Sequence, residues 1–259
     1  PQQALLIKHS PWGGEHDHYD RLGLMLWHRD GWLLTDMGTT GYGAKMHYDY
    51  YKNSATHNTL SVNQTNQPPA NPQVLGWHMD SDSLWLDSEV DWGKPPPELN
   101  SHSRVEWDAA AWRGVRFRRR LLWLEEVLID LSAVENPHRQ QLDWTLHLAA
   151  RALDQSGSPQ PFSLSGPLRH MANATMTPLN GCQPRHFARD KETVALWLSG
   201  DGELSQGLAP DNPAIRDLSY LVMRNHLPQA RFVCLWDFAN RAPLTEVNVH
   251  HTPAGTHIT

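Results

Sequence analysis

The sequence contains little that would fix a fold by covalent bonds or tie it to a membrane. Only two of its 259 residues are cysteine, Cys182 and Cys234. They are able to pair, but one bridge is no disulfide framework in a chain long enough to bury its own core, and the count leaves the compartment open. No apolar run approaches the roughly 18–20 residues that a membrane-spanning helix requires, so no membrane partner is expected. Cations are not in excess. The formal net charge is −6, and the clustered positive charge of non-specific nucleic-acid binding is missing. The exception is local: Arg113, Arg116, Arg118, Arg119 and Arg120. Strand alternation puts Arg116, Arg118 and Arg120 on one face and Phe117, Arg119 and Leu121 on the other, either as a solvated sheet face or as a site for an anionic substrate. Internal repeats, low-complexity tracts and long helical patterns are also missing. The chain opens at Pro1 without a starter Met or a charged-then-apolar leader, as expected of a processed or truncated piece.

What is abundant is indole and imidazole, with 12 Trp and 16 His in a chain that is 39% hydrophobic. Most of the tryptophans are expected in the core. Short apolar runs separated by Gly, Pro, Asn and Asp predict an all-β, antiparallel sandwich. Alternation predicts strands at 19–27, 32–36, 57–64, 83–90, 113–123, 127–134 and 141–149, with further short strands to residue 250. Arg29-Asp30-Gly31, Glu125-Glu126 and Asn136-Pro137-His138 read as turns. Residues 45–53 read as an ordered loop. The whole of 1–259 reads as one domain, with a polar seam at 154–165 between halves.

The chemistry concentrates between His16 and Asn58. In the strand predicted over 19–27, Leu22, Leu24 and Leu26 share a face, and extending it backwards puts His18 and His16 on the same side, about 7 Å apart. Asp36 ends the next apolar run and His57 opens the third. His18, Asp36 and His57 could converge as two imidazole nitrogens and one carboxylate oxygen, a donor set that suits zinc with a further group in the fourth position. Asp17 and Asp20 are available to accept from the ring N–H groups. The competing reading is a set of hydrogen-bonded polar groups at a sheet edge. A His-x-His followed by a distant His is also the arrangement of a cupin-like metal enzyme, although only Asp20 stands where a cupin usually places Glu. A non-catalytic carbohydrate-binding module, with Trp27, Trp77, Trp85 or Trp107 as stacking platforms, is a third reading.

Three stretches carry a resemblance: Gly14-Glu15-His16-Asp17-His18-Tyr19-Asp20, Leu33-Leu34-Thr35-Asp36-Met37-Gly38 and Tyr51-Lys52-Asn53-Ser54-Ala55-Thr56-His57-Asn58-Thr59-Leu60. Together they resemble the heparinase II/III-like polysaccharide lyases, which include heparin and heparan sulfate lyases and exolytic alginate lyases. The resemblance is strongest over 8–67 and weaker over 118–148. It implies an N-terminal α/α toroid followed by a β-sandwich of the supersandwich type, with substrate in the cleft between them. This chain then corresponds to the β-domain, and the toroid is its expected partner alongside an anionic polysaccharide or oligosaccharide. The resemblance also implies a Zn2+ ion on His18, Asp36 and His57, with His16 pointing into the cleft. The implied reaction is β-elimination at a uronic acid, with a loop tyrosine as acid or base. Tyr48 is the first choice beside His16 as a catalytic residue, and Tyr50, Tyr42 and Arg21 are the expected substrate-binding residues. The remaining catalytic groups belong to the toroid, which makes this chain incomplete by itself.

Overall fold

A computed structural model describes residues 3–97, 106–153, 160–161, 165–239, 243–252 and 255–259. In chain order the strands are β1 (Gln3–Ile7), β2 (Leu24–His28), β3 (Gly31–Leu34), β4 (Leu60–Val62), β5 (Gln73–Met79), β6 (Ser83–Asp91) and β7 (Arg116–Leu124). There follow β8 (Val127–Glu135), β9 (Leu142–Leu148), β10 (Arg151–Ala152), β11 (Gln160–Pro161), β12 (Ala172–Leu179) and β13 (Cys182–Arg189). The last are β14 (Glu192–Ser199), β15 (Gly202–Pro210), β16 (Asp217–Asn225), β17 (Gln229–Asp237), β18 (Val249–Thr252) and β19 (Gly255–Ile258). A 9-stranded sheet runs β1-β2-β3-β9-β16-β15-β12-β11, with β4 also on β9, and an 8-stranded sheet runs β10-β13-β14-β17-β8-β7-β6-β5. The named strands pair antiparallel. Both sheets are open, with an edge at either end, unlike the closed barrel of a cupin. The expected all-β sandwich is what forms.

Alternation decides which side chains meet between the sheets. On β9, Leu142, Trp144, Leu146 and Leu148 enter the inter-sheet core with Phe117 and Leu121 of β7 and Phe232, Cys234 and Trp236 of β17. Each such side chain contributes roughly 1.5–3 kcal/mol by leaving water. Asp143, Thr145 and His147 point the other way yet are also buried. Helical turns at His47–Tyr51, Ser54–Thr56 and Gly166–His170 cover that second face, where Tyr50, Tyr51, Leu168, Tyr220 and Val222 form a smaller core. It is under these turns that the candidate site lies.

Several local expectations need correction. The strand predicted over 19–27 begins only at Leu24, and His16 and His18 do not lie on it. His16 ends a 3-10 turn, Leu22 adopts φ 56°, and the Gly23 N–H closes a turn onto Asp20 O at 2.8 Å. A Cβ at Gly23 would sit 2.9 Å from that carbonyl oxygen, so the turn requires glycine. The strand predicted over 57–64 shrinks to β4 (Leu60–Val62), and the loop predicted over 45–53 contains a π-helical turn, His47–Tyr51. Both cysteines are free. Cys234 faces the inter-sheet core and Cys182 packs on the cluster of Trp197, Leu235 and Val247, so they do not pair. Most of the seam expected at 154–165 lies outside the described residues.

Candidate metal centre and cleft wall

The loop before β2 is built on ion pairs rather than on apolar contacts. Asp17 accepts from Lys8 Nζ at 2.8 Å, from the backbone N–H of Gly13 at 2.9 Å and of His18 at 3.0 Å, and from Arg21. Burial opposes the charge on Asp17, but Arg21, Lys8 and the Gly13 N–H outweigh it and hold the carboxyl below its ordinary range. Arg21 itself is buried and also donates to Ser10 O at 2.7 Å, Pro11 O at 3.1 Å and His18 O at 3.0 Å. The expectation that Arg21 binds substrate is therefore corrected: its guanidinium is spent on the loop and faces no solvent.

His57 follows the turn Ser54–Thr56, and its surroundings leave it little freedom. Its carbonyl accepts from the Thr145 hydroxyl. The next side chain, Asn58, donates to Leu24 O at 2.8 Å and Thr35 O at 2.6 Å and accepts from the His147 N–H at 2.7 Å. One amide thus ties β2, the end of β3 and β9 together beside the imidazole.

Three side chains from separate segments meet here. His57 Nδ1 lies 2.6 Å from Asp36 Oδ2, and His57 Nε2 lies 3.3 Å from His18 Nδ1. The other oxygen of Asp36 accepts from the Gly38 N–H at 2.8 Å. Burial, with the neighbouring His57, pushes the His18 pKa down to about 3, so this ring is neutral at ordinary pH. Burial would also neutralise Asp36 and His57, but their mutual charge and hydrogen bond win, lowering the carboxyl and raising the imidazole. One oxygen of Asp20 completes a group with Asp36 and His57 whose donor atoms all lie within 4.8 Å of one another. His18 lies outside that group, on the His57 nitrogen opposite the one facing Asp36; by chemical type two imidazoles and carboxylate oxygens are a donor set that suits zinc. The 3.3 Å between the two ring nitrogens is a hydrogen bond between the imidazoles.

His16 stands apart from this group. It is exposed, and its Nδ1 hydrogen-bonds the hydroxyl of Tyr42, itself 45% exposed. Behind the pair is His47, which is buried, takes Thr39 Oγ1 at 2.9 Å on Nδ1, and leaves Nε2 without a hydrogen-bond partner. Its ring meets those of Tyr42 and Tyr48 edge-on at 4.9 and 4.6 Å between centroids. Tyr48 is half-buried, with the Lys52 ammonium 5.7 Å from its ring centre. Lys52 is fully buried and bonds the carbonyl of Glu15 and, at 3.0 Å, its carboxylate. Tyr50 corrects another expectation. It lies in the second core between Tyr51 and His170, its hydroxyl has no partner, and burial raises its pKa well above the phenol range, so it faces no substrate.

Sequence reasoning assigned no role to Glu15, His47, Lys52 or His147. Glu15 and Lys52 lie inside the quoted motif stretches, and a buried lysine demands a carboxylate. His147 was visible only as the end of a strand, and its position under His57 is a tertiary fact. A cavity of about 1290 Å³ opens elsewhere, walled by Trp32, Arg151, Gln206 and Arg216 among others. Its cations Arg151, Arg189, Lys191 and Arg216 are balanced by Asp30, Asp190, Glu192 and Asp217, so it offers no preference for an anion.

A family model described as heparinase II/III-like, C-terminal, matches residues 2–211. The chain belongs to this family. A crystal structure of heparinase III is similar to this heparinase II/III-like domain with TM-score 0.65 at 10% identity, covering 99% of the domain and 39% of that protein. The heparan sulfate lyase HepC from Pedobacter heparinus is similar with TM-score 0.61 at 13% identity, covering 98% of the domain and 36% of that protein. At such identities the likeness is one of fold. The chain spans little more than a third of the length of these structures. No curated protein matches it.

Proposed function

We propose that this chain is the β-sandwich of a polysaccharide lyase that cleaves a uronate-containing anionic polysaccharide by β-elimination, and that it requires an α/α toroid to complete the cleft. The observation that carries this reading is the separation of two imidazole groups on one wall, within a chain of the heparinase II/III-like family. His18, Asp36 and His57 are buried or half-buried and converge, whereas His16 and Tyr42 are exposed and hydrogen-bonded to each other. His18, Asp36 and His57 would hold a zinc ion, whose bound charge would neutralise Asp36 and fix the wall.

The substrate-facing pair can hold and move a proton between the Tyr42 hydroxyl and His16 Nδ1. In the elimination a base removes the uronate C5 proton and the C4–O bond breaks. The electron pair becomes the C4=C5 double bond, and a proton goes to the leaving 4-oxygen. The His16–Tyr42 pair would serve one of these two transfers, and the toroid would supply the other group. Tyr48, against His47 and over Lys52, is the second tyrosine of the same wall.

The test is ultraviolet absorbance of the unsaturated product on heparan sulfate, alginate and related uronates, with the chain alone and joined to an N-terminal toroid. Activity should appear only with the toroid. Equal activity of the isolated chain would refute the split site, and inactivity of the joined protein on every uronate would refute the lyase.

A further inference from the structure

The two sheets do not close on each other at the end of the sandwich where the large cavity lies. In the 9-stranded sheet the inward side of β15 carries Leu204 in the core and then Gln206, and that of β16 carries Leu221 and then Ser219 and Asp217. On β12 the change is from Leu179 to Thr175. The facing sheet changes in the same way at the same end, from Phe187 to Arg189 on β13 and from Val194 to Glu192 on β14. Strand alternation puts all of these side chains between the sheets. Apolar residues at these positions would continue the core. Polar ones instead line a cavity of about 1290 Å³. It exceeds the roughly 300–1,000 Å³ of a usual small-molecule site, so it has room for several linked sugar units.

The lining selects the class of occupant. Much of its charge is already spent within the fold. Arg189 donates to His28 O at 2.6 Å and to Gly31 O at 2.9 Å, Glu192 pairs with Arg29, and Arg216 donates to Asp211 at 2.5 Å. What faces an occupant is therefore mostly neutral. The hydroxyls of the buried Ser219 and of Thr175 and the amide of Gln206 can each both donate and accept hydrogen bonds. At the mouth stand Arg151 and Asp217, both exposed, and among the described residues neither forms an ion pair. Being of opposite sign, they give no net attraction to a charged ligand, whereas sugar hydroxyls can accept from the one and donate to the other. Trp32 lines the same cavity and supplies the aromatic surface on which the C–H face of a sugar ring packs.

We propose that this cavity binds an uncharged oligosaccharide between the ends of the two sheets, at a site separate from the wall that presents His16 and Tyr42. The proposal goes beyond the lyase reading and does not depend on it, since neither His16 nor Tyr42 lines the cavity. Polar residues at core-facing positions cost stability when nothing pairs with them, and an occupant rich in hydroxyls pairs with them without bringing a charge into the sandwich.

The experiment is two-dimensional NMR of the purified chain titrated with maltotriose, cellotriose, xylotriose, mannotriose and N-acetylated chitotriose, with a trimer of uronic acid for comparison. At least one uncharged probe should bind with a dissociation constant below about 1 mM. It should shift the backbone signals of Gln206 and Ser219 and the indole signal of Trp32, and leave His16 and Tyr42 unmoved. Asp217→Ala, at an exposed position, should weaken that probe by about tenfold, and Gln206→Leu, which continues the apolar run of β15, should abolish its binding. No shift at the cavity with any uncharged probe up to about 10 mM, shifts confined to the wall of His16 and Tyr42, or preference for the uronate trimer would each overturn the proposal. So would an Asp217→Ala protein that binds within about twofold of wild type. The wild-type shifts need no variant, so a misfolded Gln206→Leu does not protect the proposal.

Discussion

On the outward face of the 8-stranded sheet, cations stand opposite anions. Arg118 grips Asp87 through two nitrogens at 2.7 and 2.5 Å, and Arg120 reaches the same carboxylate at 3.2 Å. Arg116 lies near Glu89, Asp91 and Glu135. Facing inward from the same strand, the buried Arg119 is held by the buried Asp130. Under the helical turns over the 9-stranded sheet, by contrast, His47 Nε2 and His147 Nε2 are buried without partners, two imidazoles face each other, and two carboxylates converge. The first region spends its charge on cross-strand pairs and holds a fold together. The first region also has Arg116 Nε and Ser88 Oγ without hydrogen-bond partners, but the second leaves two buried imidazole nitrogens unpartnered beside converging carboxylates, a pattern common where something else is to be bound.

That contrast can be broken by substitution, and the largest effect belongs to the satisfied region. Asp130→Asn or Arg119→Met leaves a buried charge uncompensated, and chemical denaturation should show a loss of about 3–5 kcal/mol. The folded fraction of Asp130→Asn, in which Arg119 keeps its bonds to Leu22 O and Asn58 O, should bind zinc as wild type does. A similar loss of metal binding would mean that the two regions are not separable.

A smaller effect comes from His28, which lies against Phe238 at 4.6 Å in the sandwich. Burial, with Arg189 and Arg29 nearby, lowers its pKa to about 4. The unfolded chain, with an ordinary histidine near 6.5, then binds more protons than the folded one between about pH 4 and 6.5, so the stability owed to His28 falls as pH falls through that window. Over the whole window the loss should be no more than about 3 kcal/mol. His28→Gln should flatten that part of the stability curve. An unchanged slope would show that His28 protonates freely in the fold.

The smallest effect on stability, and the sharpest on function, is expected from the exposed pair. His16→Ala and Tyr42→Phe should stay within about 0.5 kcal/mol of wild type in stability, while lyase activity of the toroid-bearing protein falls by about 10²–10⁴-fold. Loss of stability with activity retained would return both residues to the surface.

The sandwich was legible because alternation rules long strands that are buried on one face. Ser83–Asp91, Arg116–Leu124, Val127–Glu135 and Leu142–Leu148 fall close to where the pattern predicts them, and the inward turn of Arg119 follows from the same period. Around the site the pattern failed for one physical reason: side chains there satisfy the backbone in place of a ladder. Asp17 takes the N–H groups of Gly13 and His18, Arg21 takes carbonyls of Ser10, Pro11 and His18, and Asn58 takes those of Leu24 and Thr35. Alternation read through such a segment extends strands that do not form, which is how His16 and His18 were first placed on one strand face. His18, Asp36 and His57 lie side by side because their three segments are neighbours, and not through the strand geometry that alternation ascribes to them. The burial of Tyr50 had no counterpart in the local sequence, because the turn that carries it packs through tertiary contacts, whereas Arg21 is buried by its own loop through Ser10, Pro11, Asp17 and His18.

Arg119 has a second use. Beyond Asp130, its Nη1 donates across the sandwich to Leu22 O at 2.6 Å and to Asn58 O at 2.7 Å, the residue after His57. The loop that carries His57 is thereby anchored to the opposite sheet through the middle of the core. Hydrogen exchange at the His57–Asn58 backbone should therefore be as slow as that of the core strands, whereas the surface turns that carry His16 and Tyr42 should exchange much faster.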